Sequence, residues 1–262
     1  MSQRVAIAGA NGRMGRMLID AVGDLPGMEV TALTLAPSES VPSPATADES
    51  LYTHDVNEAL SRADVLIDFT VPATIPDHAA ACEANGAAWV LGTTGLEEAD
   101  QAVVERASTK VAVCQAANFS TGVNLLLKLV ELATLAVDED TDLEVVEAHH
   151  RHKVDAPSGT ALAIGKVMAA ARGVTLDEKG VFSREGITGA RERGSIGFAT
   201  IRAGDIVGDH TALFASDGES IEITHRAGTR LAFARGACRA AQWLHSRSAG
   251  LYHMHDVLGL ND

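Results

Sequence analysis

Val5-Ala6-Ile7-Ala8-Gly9-Ala10-Asn11-Gly12-Arg13-Met14-Gly15 sets a short aliphatic run directly before three glycines spaced G-x-x-G-x-x-G. Read as strand, turn and helix start, these residues let the chain bend tightly and open backbone N–H groups toward a phosphate. The commoner spacing is G-x-G-x-x-G, so the pattern is a variant. An ordinary glycine-rich turn competes with it, and the strand before and helix after favour dinucleotide binding. Gly9, Ala10, Asn11, Gly12, Arg13 and Met14 are the candidate contacts. Arg13 reads equally as a phosphate ligand or a solvated helix-face arginine.

Outward from this loop, β-branched and aliphatic runs alternate with helix-period segments over the first 120 residues. Strands are expected at Arg4 to Ala8, Glu29 to Leu35, Asp64 to Asp68, Ala88 to Leu91 and Lys110 to Cys114. Helices are expected at Arg13 to Val22, Val56 to Ser61, Ile75 to Asn85 and Leu96 to Ser108. This alternation predicts an α/β fold, a Rossmann-like doubly wound parallel sheet with helices on both faces. The Pro- and Ser-rich stretch from Pro37 to Tyr52 reads as a mobile loop. Gly92-Thr93-Thr94 and Ala116-Ala117-Asn118-Phe119 follow the fourth and fifth strands, where open α/β sheets bind ligands; plain strand-to-helix turns are the alternative.

Beyond Ser120 the texture changes. An apolar-periodic helix over Gly122 to Val137 leads to a strand over Asp142 to Ala148, a helix from Ser158 to Arg172, and strands near Gly180 to Ser183, Ser195 to Arg202, Asp205 to Ala215 and Ser220 to Arg226. That order predicts a second, α+β domain carrying a mixed or antiparallel sheet. A helix over Arg230 to Ser246 is expected to return to the first domain. The expected division is 1–120 completed by 230–262, with 121–229 as the second domain.

Within that second domain lies His149-His150-Arg151-His152-Lys153, just before Ala156-Pro157-Ser158-Gly159-Thr160. Five adjacent residues able to carry positive charge repel one another unless an anion balances them, and Ser158 reads as the N-cap of a helix whose first N–H groups form an anion site. If the strand continued through the cluster, His150 and His152 would face one way and His149, Arg151 and Lys153 the other. A carboxylate held between Lys153 and the helix start, with a histidine exchanging protons nearby, is the leading reading. Metal ligation by His-His-x-His and a solvated polar edge remain open beside it, and with no companion ligand at an obvious spacing no metal is expected. His210, His225, His253 and His255 read as structural or exposed.

The chain has 262 residues, 46% of them hydrophobic, with 21 Lys and Arg against 35 Asp and Glu, for a formal charge of −14. That balance disfavours nucleic acid and anionic lipid as partners and points to small molecules. The opening Met1-Ser2-Gln3-Arg4 runs into a short apolar stretch ending in glycines rather than a cleavage site, and no stretch reaches the ~18 apolar residues of a membrane span. A cytoplasmic location is expected, and the widely spaced Cys82, Cys114 and Cys238 suit buried thiols there.

Taken together, Val5 to Gly15, Asp68-Phe69-Thr70, Gly92-Thr93-Thr94-Gly95, Ala116 to Ser120 and Glu147-Ala148-His149-His150-Arg151-His152-Lys153 through Thr160 resemble the 4-hydroxy-tetrahydrodipicolinate reductases. Ser183-Arg184-Glu185-Gly186 and Ile196-Gly197-Phe198-Ala199 to Gly208 are similar to the same family. The resemblance implies reduction by NADH or NADPH of a cyclic dicarboxylate in the diaminopimelate route to lysine, and a homotetramer joined through the second domains' sheets. It also implies that His149 and Lys153 are the acid/base pair, that His150, Gly159 and Thr160 bind substrate, and that Gly9 to Met14, Gly92 to Thr94 and Ala116 to Phe119 hold the cofactor. A related reductase sharing only the first domain would not require the cationic cluster, and a dinucleotide-binding regulator would not require Lys153. Family members often carry Glu-Arg at the positions of Leu35-Ala36, and some an Arg where Val71 stands; both are absent. Glu39 is the nearest acid and no Lys or Arg occurs between Met17 and Ser61, so NADH is expected to serve at least as well as NADPH.

Overall fold

The computed structural model describes residues 2–261 and divides into two compact units, Met1–Thr121 with Leu231–Asp262, and Gly122–Arg230. In the first, β1 (Gln3–Ala8), β2 (Met28–Thr34), β3 (Tyr52–Thr53), β4 (Val65–Asp68), β5 (Ala88–Leu91) and β6 (Ala112–Gln115) alternate with α1 (Arg13–Gly23), α2 (Val56–Ser61), α3 (Ile75–Asn85) and α4 (Glu98–Ser108). In the second lie most of α5 (Thr121–Ala136), then β7 (Asp142–His149), α6 (Gly159–Ala171), α7 (Leu176–Lys179), β8 (Gly180–Val181), β9 (Ile196–Arg202), β10 (Asp209–Ser216) and β11 (Glu219–Arg226). The chain then re-enters the first unit with α8 (Leu231–Leu244), β12 (Gly250–Tyr252) and α9 (Met254–Leu258).

The first unit's sheet runs β12-β6-β5-β4-β1-β2-β3 with every pair parallel. Its central strands are buried on both faces, which is why Val5 to Ala8 and Val65 to Ile67 read as continuous apolar runs instead of alternating ones. Leu18, Ala21 and Val22 of α1 pack with Ala234, Ala237, Cys238 and Ala241 of α8 on one face. Leu60, Ile75, Ala79, Cys82 and Val104 from α2, α3 and α4 fill the other. The strand order reverses direction between β1 and β4, so the loops leaving these strands diverge and open a crevice at their carboxyl ends. β3 and β12 were not expected from sequence; two and three residues long, they become strands by pairing with β2 and β6 at the sheet's edges.

The second unit's sheet runs β11-β10-β7-β9-β8 and is mixed, with β7 parallel to β9 and antiparallel to β10. Leu143, Val145, Phe198, Ala212 and Phe214 face Leu126 and Val130 of α5 and Ile164 and Met168 of α6. β10 begins at Asp209 instead of Asp205, because Gly204-Asp205 form a turn. Arg184 and Arg191 bind Glu144 and fasten the loop between β8 and β9 to the sheet. Among the described residues no helix is long and apolar enough to cross a membrane.

Candidate active site

At the crevice of the first unit, Gly9 leaves β1 with φ +68°, a left-handed conformation that suits glycine. Gly12 then donates to the Gly9 carbonyl at 2.9 Å and serves as the N-cap of α1 without a side-chain cap bond. The first-turn N–H groups of α1 have no partner within the helix. A side chain at Gly15 would run into the Gly9 carbonyl and lie 2.7 Å from Ala10 Cα, so helix and loop approach closely only with glycine there. Asn11 Oδ1 is buried with no hydrogen-bond partner among the described residues, while its Nδ2 donates to Ser40 O at 3.1 Å. A tight left-handed turn, an uncapped helix start and an orphaned buried acceptor fit a dinucleotide pyrophosphate and its sugar. Arg13 is exposed at the same helix start.

The loops after β4, β5 and β6 meet beside it. Phe69 lies against Gly92, where any side chain would overlap its ring, and meets Phe119 edge to face at 5.4 Å. Beneath them sits Asp68, fully buried, which accepts from His78 Nδ1 at 2.7 Å, Trp89 Nε1 at 3.3 Å, Thr70 Oγ1 at 2.6 Å, Thr70 N at 3.0 Å and Thr93 Oγ1 at 3.3 Å. Burial works to raise its carboxyl, but the His78 and Thr70 bonds hold it below the usual value. Asp68 thus ties Thr70 and Thr93 to one point, a role the sequence did not disclose.

In the second unit β7 stops at His149. Ala203 N donates to His149 O at 2.9 Å, Arg151 N to Gly204 O at 3.2 Å, and Lys153 N to His150 O at 3.1 Å, so the cluster turns instead of continuing as a strand. The alternation of faces through Lys153, which required the strand to run on past its expected end at Ala148, therefore does not arise. His150, Arg151 and His152 instead line a cavity of about 650 Å³ with Gly204 and Asp205. Arg230 Nη2 lies 3.4 Å from His150 Nε2. Lys153 Nζ donates to both oxygens of the exposed Asp155 at 2.8 Å. His149 lies apart, buried on the face of the sheet that α6 covers.

What organises His149 is Glu147, two residues earlier on the same strand face and 1% exposed. Glu147 Oε2 receives His149 Nδ1 at 2.6 Å and Arg202 Nη1 at 2.8 Å; Oε1 receives Arg202 Nη2 at 2.8 Å and the Ser158 N–H at 3.1 Å. Burial pushes this carboxyl upward, yet Arg202, His149 and Ser158 together hold it below its ordinary value. Because a carboxylate only accepts, His149 carries its proton on Nδ1 and turns Nε2 outward. Gly208 keeps that nitrogen uncovered, since a Cβ there would stand 3.0 Å from it.

The register explains the cluster: His149 pairs with Arg202 across β7 and β9, and Glu147 with His210 across β7 and β10. Of the two readings open for His210, structural or exposed, it takes the first: it is buried, meets His149 edge to face at 5.1 Å and lies 3.0 Å from Ser158 Oγ. Burial, then His149, push His210 down to about 4. Ser158 does cap α6, accepting from Ala161 N, and the space beside Gly159 is open. Strand periodicity applied backwards from His149 points to Glu147; Arg202 and His210 come from distant strands and leave no local signal. Among the described residues no group of His, Cys, Asp or Glu is arranged to hold a metal ion.

Residues 3–119 match the family described as dihydrodipicolinate reductase, N-terminus, and residues 122–258 match dihydrodipicolinate reductase, C-terminus. The chain belongs to the dihydrodipicolinate reductase family. The 4-hydroxy-tetrahydrodipicolinate reductase of Alkalilimnicola ehrlichii is 52% identical, over 99% of this chain and 100% of that protein. The enzyme of the same name from Laribacter hongkongensis is 51% identical over 98% of each. A dipicolinate-bound dihydrodipicolinate reductase from Paenisporosarcina sp. TG-14 superposes with a TM-score of 0.79 at 25% identity, covering 97% of this chain and 98% of its own. A myo-inositol dehydrogenase from Corynebacterium glutamicum, 13% identical with a TM-score of 0.59 over 99% of this chain and 94% of its own, shares the fold. In this reductase family the Rossmann-like half is the NAD(P)-binding one.

Proposed function

We propose that this chain reduces 4-hydroxy-tetrahydrodipicolinate to tetrahydrodipicolinate with NADH or NADPH, in the diaminopimelate route to lysine. The observation that carries the proposal is the whole-length family match together with a buried Glu147-His149 pair joined to the start of α6. The dipicolinate held by the Paenisporosarcina relative supports a cyclic dicarboxylate as substrate.

In this reading Gly9, Ala10, Asn11, Gly12, Arg13 and Met14 cradle the pyrophosphate, and Gly92 to Thr94 with Ala116 to Phe119 line the nicotinamide side. When bound, the reduced nicotinamide supplies the hydride. Loss of the substrate's 4-hydroxyl as water leaves a conjugated imine, and hydride addition leaves an electron-rich ring carbon that takes one proton. Lys153 gives that proton and His149, held by Glu147, exchanges it through Nε2. His150, Gly159 and Thr160 bind the substrate, with the α6 N-terminus drawing one carboxylate. That carboxylate competes with exposed Asp155 for Lys153.

We also propose a homotetramer joined through the second unit's sheet, in the cytoplasm. Val146, Ala148, Leu213 and Ile201 point away from α5 and α6 and are partly exposed, an apolar sheet face suited to a second copy. Coupling the purified protein to dihydrodipicolinate synthase and following NAD(P)H absorbance tests the activity. Wild type consumes reduced cofactor only when the synthase product is present, and Lys153→Ala lowers kcat by at least about 100-fold with unchanged cofactor Kd. No consumption by wild type, or full activity in the variant, overturns the reading.

A further inference from the structure

Dinucleotide-binding folds ordinarily end their second strand on an acid that takes the adenosine ribose hydroxyls. Here β2 ends at Thr34, whose carbonyl accepts the Ala10 N–H at 3.0 Å and whose hydroxyl oxygen lies 3.4 Å from the Gly9 N–H. Neutral and engaged with the glycine loop, Thr34 does not supply that acid. Beyond it the chain folds back: Glu39 N–H donates to Ala36 O at 2.9 Å, and Ala36 N–H donates to Glu39 Oε2 at 3.1 Å. Backbone and side chain therefore close the same turn, with His54 Nδ1 3.1 Å from Ala36 O on its other side. Asn11 of the glycine loop donates to Ser40 O at 3.1 Å and ties the turn to the phosphate end of the crevice.

We infer that Glu39 is the ribose-recognising acid of this chain, carried back to the end of β2 by the 36–39 turn, and that it selects NADH over NADPH. The inference rests on the cofactor reading above. Glu39 is exposed, and one of its oxygens is held by Ala36, which leaves Oε1 to accept a ribose hydroxyl. The same contact occupies the backbone N–H at the strand end that a 2′-phosphate would otherwise take. A phosphate brought there meets a carboxylate with no Lys or Arg between Met17 and Ser61 to offset it. Selectivity thus arises from an attractive contact to one cofactor and repulsion of the other.

Glu39→Gln separates charge from shape, because the amide oxygen still accepts the Ala36 N–H. Kd values for NADH and NADPH, by quenching of protein fluorescence and by calorimetry, are compared for wild type and Glu39→Gln. Wild type is expected to bind NADH about tenfold more tightly than NADPH; the variant loses about tenfold for NADH and gains several-fold for NADPH, with an unchanged Tm. A variant whose ratio of the two Kd values stays within about twofold of wild type overturns the inference alone. Wild type binding neither dinucleotide overturns the cofactor reading and this inference together.

Discussion

Replacing Glu147 with Gln changes one oxygen to an amide nitrogen at the point where four donors converge. Glu147 receives His149 at 2.6 Å, two guanidinium nitrogens of Arg202 at 2.8 Å each and the Ser158 N–H at 3.1 Å. An amide keeps one acceptor and aims its own N–H groups at two of those donors. Breaking a buried ion pair by removing one partner costs about 3–5 kcal/mol, and charge-assisted bonds are the strongest part of it. Arg202 is 20% exposed and also donates to Ile201 O and Asp155 O, so its charge is not stranded and the lower end, about 3 kcal/mol, applies. For a chain of this size that corresponds to a Tm lower by roughly 6–12 °C. The kinetic effect is separate. Gln donates to His149 Nδ1 and moves the imidazole proton to Nε2, so the outward nitrogen arrives in the wrong state and kcat falls by about 10²–10⁴. Kd for NADH stays within about twofold, because the glycine loop belongs to the other unit. Urea titration, a melting scan and the coupled steady-state assay measure all three. A folded variant whose kcat lies within about threefold of wild type would refute the positioning role, and an unchanged Tm would refute the energetic account.

Two further outcomes follow from the buried ionisable groups. His210 sits near 4 in the fold against ~6.5 unfolded, so the unfolded chain binds the extra proton between those values. Its contribution is complete above pH ~6.5 and is lost toward pH ~4, a decline of roughly 3 kcal/mol that urea titrations of wild type and His210→Asn measure; an equal slope in both proteins would contradict the assignment. Below that window stability falls again as Asp68 and Glu147, both depressed in the fold, take up protons. Asp68→Asn removes an acceptor of five contacts and is expected to cost about 3–5 kcal/mol by denaturant titration; it also raises KM for NADH more than it lowers kcat, because Thr70 and Thr93 lose their common anchor. Wild-type KM in that variant would limit Asp68 to a purely structural part.

The cationic run after β7 separates what the sequence disclosed from what it withheld. The glycine loop, the β/α alternation and the Ser158 cap are contiguous patterns, and the chain's own periodicity reveals them. The turn that the run takes after β7 is not contiguous: Ala203 N–H donates to His149 O and Arg151 N–H to Gly204 O, partners more than fifty positions away. Arg202 and His210 reach the site through strand register for the same reason. This changes the electrostatic argument. Read alone, the five residues need an external anion, whereas in the fold two internal carboxylates already stand among them, Glu147 beneath His149 and Asp155 against Lys153. They are not equivalent. Glu147 is buried and bound on both oxygens, so an incoming carboxylate cannot displace it and its charge stays committed to His149. Asp155 is 55% exposed, a surface pairing worth little, and yields Lys153 to a ligand at small cost. The burial of one anion and the exposure of the other therefore assign the run its two tasks, a fixed imidazole and an exchangeable ammonium.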